Sequence, residues 1–229
     1  MALNDAELAR YARQLALPGF SPITQEALAA ARVHVVGAGE VAGPALLYLA
    51  GAGVGTLLLD DPLDVAPEDG AAWLYGRADV GEPRVFAAAA ALKSAGAFAK
   101  ARPYATGAQP THALVCAGAL GTAREAAERA RQAGLPHVVA AVEGDGGEVV
   151  SVPPGAPCFA CASRPGSGVP GRAGAAAAVG ALAALELMLL ITGAAAAPRG
   201  RRIDLLEGTL QMRATTRVPT CACARGAIP

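Results

Sequence analysis

Apolar residues first return every third or fourth place, from Asp5 to Leu17, and this spacing predicts an amphipathic helix that ends where Pro18 and Gly19 interrupt it. A shorter helix is expected over Thr24–Ala31. The pattern then changes. 'RVHVVGAG' is a β-branched run ending in glycines, the mark of a buried strand that turns directly into a helix. That helix is predicted over Val41–Ala52, and 'GVG' hands it on to a second strand, 'TLLLD', at Thr56–Asp60.

Strands and helices go on alternating. 'PRVFAAAAALKSAG' reads as a helix, 'HALVCAG' as a strand, 'TAREAAERARQAG' as a helix and 'PHVVAAV' as a strand. Such alternation predicts a Rossmann-like, doubly wound, mostly parallel sheet. Beyond it 'GEVVSV', 'RIDLLEG' and 'TLQMRATT' read as strands of an antiparallel extension, with an alanine-rich helix between the first and second. The expected organisation is one domain over 1–229, with N-terminal helices at 1–31, an α/β core at 32–142 and the extension at 143–229. 'SRPGSGVPGRAG', Ser163–Gly174, is expected to be a mobile loop.

Composition narrows the class. Of 229 residues 53% are apolar and 17% charged, which suits a packed core and argues against disorder. Nineteen basic residues balance nineteen acidic ones, so no electrostatic footprint for nucleic acid or an anionic membrane is expected. Ala173–Gly193 is about as long as a bilayer span, but Glu186 inside it favours a buried core helix. The N-terminus lacks a signal-peptide pattern, and the expected location is the cytoplasm.

Three sets of residues carry candidate chemistry. Gly37 and Gly39 in 'VVGAGEVAG' would allow a tight turn and a close approach of backbone to a phosphate, with free N–H groups at the following helix start. Asp60 or Asp61 stands roughly 20 residues on, where a carboxylate can accept ribose hydroxyls. The alternative is that the glycines only permit close packing. Glu40 favours that alternative, because a carboxylate about 5 Å from a phosphate charge costs about 3 kcal/mol at an effective dielectric near 20. Cys158 and Cys161 in 'CFAC', with Cys221 and Cys223 in 'CAC', could form a tetrahedral thiolate site for structural zinc; redox-active or free thiols are the alternative. Cys116 reads as a small buried hydrophobe. Arg10 and Arg13 share a face of the first helix, either solvated or reaching an anion nearby. His34, His112 and His137, in or beside strands, read as structural.

Taken together these stretches resemble the ThiF/MoeB/HesA family, bacterial relatives of ubiquitin-activating enzymes. The resemblance runs from 'RYARQLALPGF' through 'QEALAAARVHVVGAG', 'YLAGAGVGTLLLDD' and 'DVGEPRV' to 'EGDGGEVVSVPPGAPCFAC', the Glu186 helix and 'IDLLEGTLQMR'. It implies a usually dimeric protein that binds Mg·ATP and adenylates the C-terminal glycine of a ubiquitin-fold sulfur carrier such as ThiS or MoaD. It implies nucleotide contacts at Gly37, Gly39 and Asp61. Arg84 stands where the family has a phosphate-binding lysine, and Arg13 matches an arginine that reaches into the partner subunit's site.

Other positions depart from the family pattern. Glu40 and Ala42 replace two motif glycines, Asp69 and Ala72 replace an asparagine and an arginine that address the phosphates, and Gly118 stands where the magnesium aspartate belongs. Each of these charge changes removes positive charge, adds negative charge or deletes the metal ligand. The resulting expectation is a protein that engages a ubiquitin-fold carrier or similar Gly-tailed protein or peptide but is impaired in adenylation, as homodimer or as the non-catalytic half of a heterodimer. Two alternatives stand beside it. One is an active adenylyltransferase in which Arg84 replaces the lysine and Asp60, Asp61 or Asp64 holds magnesium. The other is a peptide- or ligand-binding module of a biosynthetic pathway.

Overall fold

The computed structural model describes residues 3–72, 74–164, 169, 171–193 and 200–225. Helices α1 (Asp5–Leu15) and α2 (Pro22–Ala30) precede β1 (Arg32–Val36), α3 (Ala42–Ala52), β2 (Thr56–Asp60), α4 (Arg84–Ser94), β3 (Lys100–Pro103), β4 (His112–Ala117), α5 (Leu120–Gln132) and β5 (His137–Glu143). Then come β6 (Gly146–Val152), the single turn α6 (Phe159–Ala162), α7 (Ala173–Thr192), β7 (Arg201–Leu206), β8 (Thr209–Ala214) and the single turn α8 (Ala222–Arg225). Two short 3-10 turns, at Pro67–Ala72 and Arg77–Asp79, lie between β2 and α4.

Local signals explain the helix starts. Asn4 and Glu7 form a reciprocal capping box at α1, and Ser21 caps α2 with Pro22 at its first position. All eight strands join one sheet in the order β3-β2-β1-β4-β5-β6-β7-β8. β1 to β5 pair in parallel, and β6, β7 and β8 add in antiparallel register, as the sequence pattern implies.

The strand β3 has no counterpart in the sequence reading. Lys100, Arg102 and Pro103 hide its alternation, and those residue types suit its place at the sheet edge. Of the segment expected to be a mobile loop, residues 165–168 and 170 lie outside the described residues, and α7 begins within its last two positions.

Core packing is unequal on the two faces. On one, α3, α4 and α7 cover Val33, Val35, Leu57, Leu59, Leu114 and Val138. On the other, α5 and α6 cover Val115, Val139, Val150 and Val152. The connection from β3 to β4, residues 104–111, contains no helix, so β1 and β2 have no helix of their own on the α5 side.

Helix α7 is the one described helix long and apolar enough to cross a bilayer. It packs instead against α2, α3, β5 and β6. Gly180 allows the close crossing with α3, since a Cβ there would meet the Val41 carbonyl oxygen at 2.2 Å. Glu186, with its side chain 3% exposed, bonds Arg201 Nε at 2.6 Å, and that ion pair makes a carboxylate tolerable in the core.

Candidate functional site

The turn out of β1 brings the loop residues to the carboxyl ends of the parallel strands, the usual ligand crevice of such sheets. Gly37 has φ +90, and a Cβ on it would meet the Cys116 carbonyl oxygen at 2.1 Å, so the packing of β1 on β4 alone requires glycine here. Gly39 differs. A Cβ there would meet only Arg84 Nη1, at 3.5 Å, so packing gives no reason for its glycine.

Below the loop lies a cavity of about 300 Å³ lined by Gly39, Glu40, Val41, Asp69, Arg84, Cys116, Gly118, Val142 and Gly171. That volume is at the lower end for a small-molecule site. Among the described residues its one lining cation is already taken. Arg84 donates to Asp69 through Nε at 3.0 Å and through Nη2 at 2.8 Å to both carboxylate oxygens, while Nη1 lies 3.5 Å from Asp61 Oδ2. Burial works against the charge on Arg84, yet the bonds to Asp69 and the field of Asp61 outweigh it and hold its pKa above the ordinary value. Glu40 adds a second lining carboxylate, so the wall carries more negative than positive charge.

Asp61 is also occupied. Its Oδ2 accepts from Ala38 N–H at 2.7 Å and its Oδ1 from Leu63 N–H at 2.9 Å, tying the glycine loop to the end of β2. Tyr75 completes the fastening: its hydroxyl donates to the Ala38 carbonyl at 2.6 Å. Burial, reinforced by Asp61, pushes the phenol pKa well up, so the hydroxyl remains a donor. Sequence reasoning missed Tyr75, because nothing in 'AAWLYGR' places it 37 residues back on the loop. Gly118 faces open space where a side chain would begin, and the backbone of Asp64 forms an isolated antiparallel bridge with Pro83.

The four cysteines do converge. Sγ of Cys158 lies 3.8 Å from that of Cys161 and 3.6 Å from that of Cys221, and the Cys161 and Cys223 sulfurs are 3.5 Å apart. All four sulfurs fall within 4.8 Å of one another, an arrangement that could hold a metal ion. A tetrahedron of sulfurs about 2.3 Å from a central zinc has edges of about 3.8 Å, close to these separations. Burial pushes the Cys158 thiol up to about 12, whereas a backbone hydrogen bond from Cys223 brings Cys221 down to about 7. Cys116 is buried in β4, as read from the sequence, and its pKa rises to about 12 for that reason.

Arg13 is exposed on α1, which docks at the C-terminal end of α3 through a Gln14 side-chain bond to the Ala52 carbonyl. The glycine loop is at the other end of α3, about 15 Å away along an eleven-residue helix. Arg13 therefore stands apart from its own chain's pocket. Arg10 lies 4.6 Å over the Phe98 ring, a packing role. His34, read as structural, has a carboxylate partner after all: its Nε2 is 3.0 Å from Asp60 Oδ2 on the adjacent strand. His137 has its Nδ1 against the Leu135 carbonyl, and burial lowers the pKa of both His112 and His137.

Comparison with known proteins agrees with this architecture. The model of the ThiF family matches residues 11–223. The adenylyltransferase and sulfurtransferase MOCS3 of Bos taurus is 35% identical over 96% of the chain, which spans 54% of that protein's length. The vegetative HesA protein of Trichormus variabilis is 35% identical, with 83% of the chain and 78% of HesA covered. Among solved structures, MccB of E. coli with ATP superposes with a TM-score of 0.79 at 18% identity, covering 96% of the chain and 75% of MccB. At that identity the likeness is one of fold.

Proposed function

The chain belongs to the ThiF family, and from that membership we propose that it engages a ubiquitin-fold sulfur carrier or another Gly-tailed protein or peptide without adenylating it unaided. Relatives such as MOCS3 and the molybdopterin-synthase enzyme of Salmonella typhimurium are named adenylyltransferases, and MccB has been crystallised with a form of MccA. One observation carries the proposal: Arg84, the single cation lining the loop pocket among the described residues, is held by Asp69 and Asp61, with Glu40 on the same wall. A triphosphate would have to displace Asp69 from Arg84 and then lie beside three carboxylates. Each carboxylate within about 5 Å of a phosphate charge opposes binding by about 3 kcal/mol at an effective dielectric near 20.

The protein would then serve as the non-catalytic half of a heterodimer. The position of Arg13, exposed and remote from its own pocket, supports this, because it leaves that cation free to enter a partner's site. The four cysteines would hold zinc as a structural ion, supplying a tetrahedral cross-link between α6 and α8 and no chemistry at the loop. A second reading, a rewired but active adenylyltransferase, is favoured by Gly39, for which packing gives no reason.

Calorimetric titration of the metal-replete protein with Mg·ATP separates the two. The expected result is no saturable heat up to millimolar nucleotide. Micromolar binding, with pyrophosphate exchange dependent on a carrier's terminal glycine, would establish the second reading instead.

A further inference from the structure

A larger cavity, about 570 Å³, lies on the opposite side of the sheet from the loop pocket. The two are separated by the strands themselves: Cys116 and Val142 of the loop pocket belong to the core under α3 and α7, whereas the second cavity is walled by His34, Val36 and the inner face of α5. Its origin is topological. The helix-free connection from β3 to β4 leaves β1 and β2 bare beside α5, and Tyr104 and Pro110 of that connection roof the gap only in part.

The walls combine an aromatic surface, small apolar side chains and one unpaired cation. His34 stacks on Tyr104 with ring centroids 4.0 Å apart and planes 17° from parallel. The bond from His34 to Asp60 fixes that stack. Across from it, Ala126, Ala130 and Ala133 present methyl groups from α5, leaving room for a flat body. Arg129 lies on the same wall, exposed, and its side chain has no hydrogen-bond or ion-pair partner among the described residues. Register adds further cations. His34 is aligned with Leu58 on β2 and Leu58 with Arg102 on β3, while Arg32 is aligned with Thr56 and Thr56 with Lys100. In a parallel sheet, aligned residues project from the same face, so Arg32, Lys100 and Arg102 share the His34 face of the sheet, outside the cavity lining and about 5 Å per strand from one another. On the wall itself the one carboxylate, Asp60, is already engaged by His34, which leaves Arg129 as the unpaired lining charge among the described residues.

We propose that this cavity is a second binding site, independent of the glycine loop, for a small organic anion with a planar apolar body, of the aromatic carboxylate class. The ring would slide between Tyr104 and the alanines of α5, and the carboxylate would meet Arg129 at the rim. An apolar slot with few convergent polar groups is the common make-up of small-ligand sites, and the unpaired guanidinium supplies the sign preference.

The test uses the full chain labelled with 15N and titrated in turn with sodium benzoate, benzyl alcohol and sodium acetate. Benzoate is expected to shift the Val36, Ala126 and Ala130 amides along one saturable curve, with benzyl alcohol at least about fivefold weaker and acetate not saturating over the same range. Arg129→Glu, at an exposed position, is expected to weaken benzoate about fivefold or more without disturbing the rest of the spectrum. Ala130→Leu, which fills the slot, is expected to abolish the shifts. Non-saturating benzoate shifts, shifts confined to the glycine loop, equal affinity for benzyl alcohol or acetate, or unchanged affinity in Arg129→Glu would each overturn the proposal.

Discussion

The cysteine cluster and the glycine-loop pocket are both assembled from distant parts of the chain, yet they differ in what the fold requires of them. At the cluster, two single-turn helices too short to be stable alone bring four sulfurs within 4.8 Å of one another. At the loop, the backbone is held by packing that is indifferent to any nucleotide. Gly37 is demanded by Cys116, and Asp61 and Tyr75 fasten Ala38 from both sides. Side chains lining such a pocket can change sign while the loop keeps its shape. The shape of a binding loop is therefore weak testimony to its ligand, whereas the coincidence of four thiols is strong.

Removing the metal from the cluster should have the largest effect. Cys161→Ser is expected to reduce bound zinc, measured by atomic absorption, below one equivalent and to lower the thermal midpoint by about 12 °C or more, which for a chain of this size corresponds to about 4 kcal/mol. A variant with unchanged midpoint and no metal in either protein would make the cysteines ordinary thiols, and the contrast with the loop would disappear. Next in size comes Gly37→Ala, which adds a left-handed φ penalty to a backbone clash and should cost about 2–4 kcal/mol in urea unfolding. Gly39→Ala is the control, expected within about 0.5 kcal/mol of the parent. Equal losses at the two glycines would show that the loop is held as a unit rather than by Gly37.

A smaller effect sharpens the comparison from the other side. Asp69→Asn combined with Glu40→Gly releases Arg84 and removes both carboxylates lining the loop pocket. Mg·ATP affinity by calorimetry should rise at least about tenfold for the pair, equivalent to about 1.4 kcal/mol. No gain would mean that the pocket has lost its ligand through shape rather than charge.

The alternating core was legible because buried parallel strands and their helices repeat two distinct periods, and the cysteine pairs because thiols spaced so closely are rare outside metal sites. What escaped were contacts made across the sheet. The strand at Lys100–Pro103 carries edge chemistry instead of core chemistry, so its period is masked. His34 meets Asp60 from 26 residues away, and Arg84 meets Asp69 across a 3-10 turn whose path no periodicity records. The departures at Glu40 and Asp69 could be seen as substitutions against a family pattern, but not that Asp69 would turn inward to engage Arg84. That step depends on side-chain geometry, which only coordinates supply.

The cysteine pairs have a consequence for the order of events at the ribosome. Cys158 and Cys221 are 63 positions apart, and α7, β7 and β8 all lie between them. A nascent chain that has exposed 'CFAC' holds half a ligand set, and it must wait for the hairpin at Glu207–Gly208 to form before the other half can arrive. Closing a segment this long costs little more than closing a short one, so the delay is set by synthesis rather than by diffusion. Over that interval two thiols stand without their partners and open to oxidants and to competing metals. Were an ion bound by the four cysteines, its capture would come only after β7 and β8 had been synthesised.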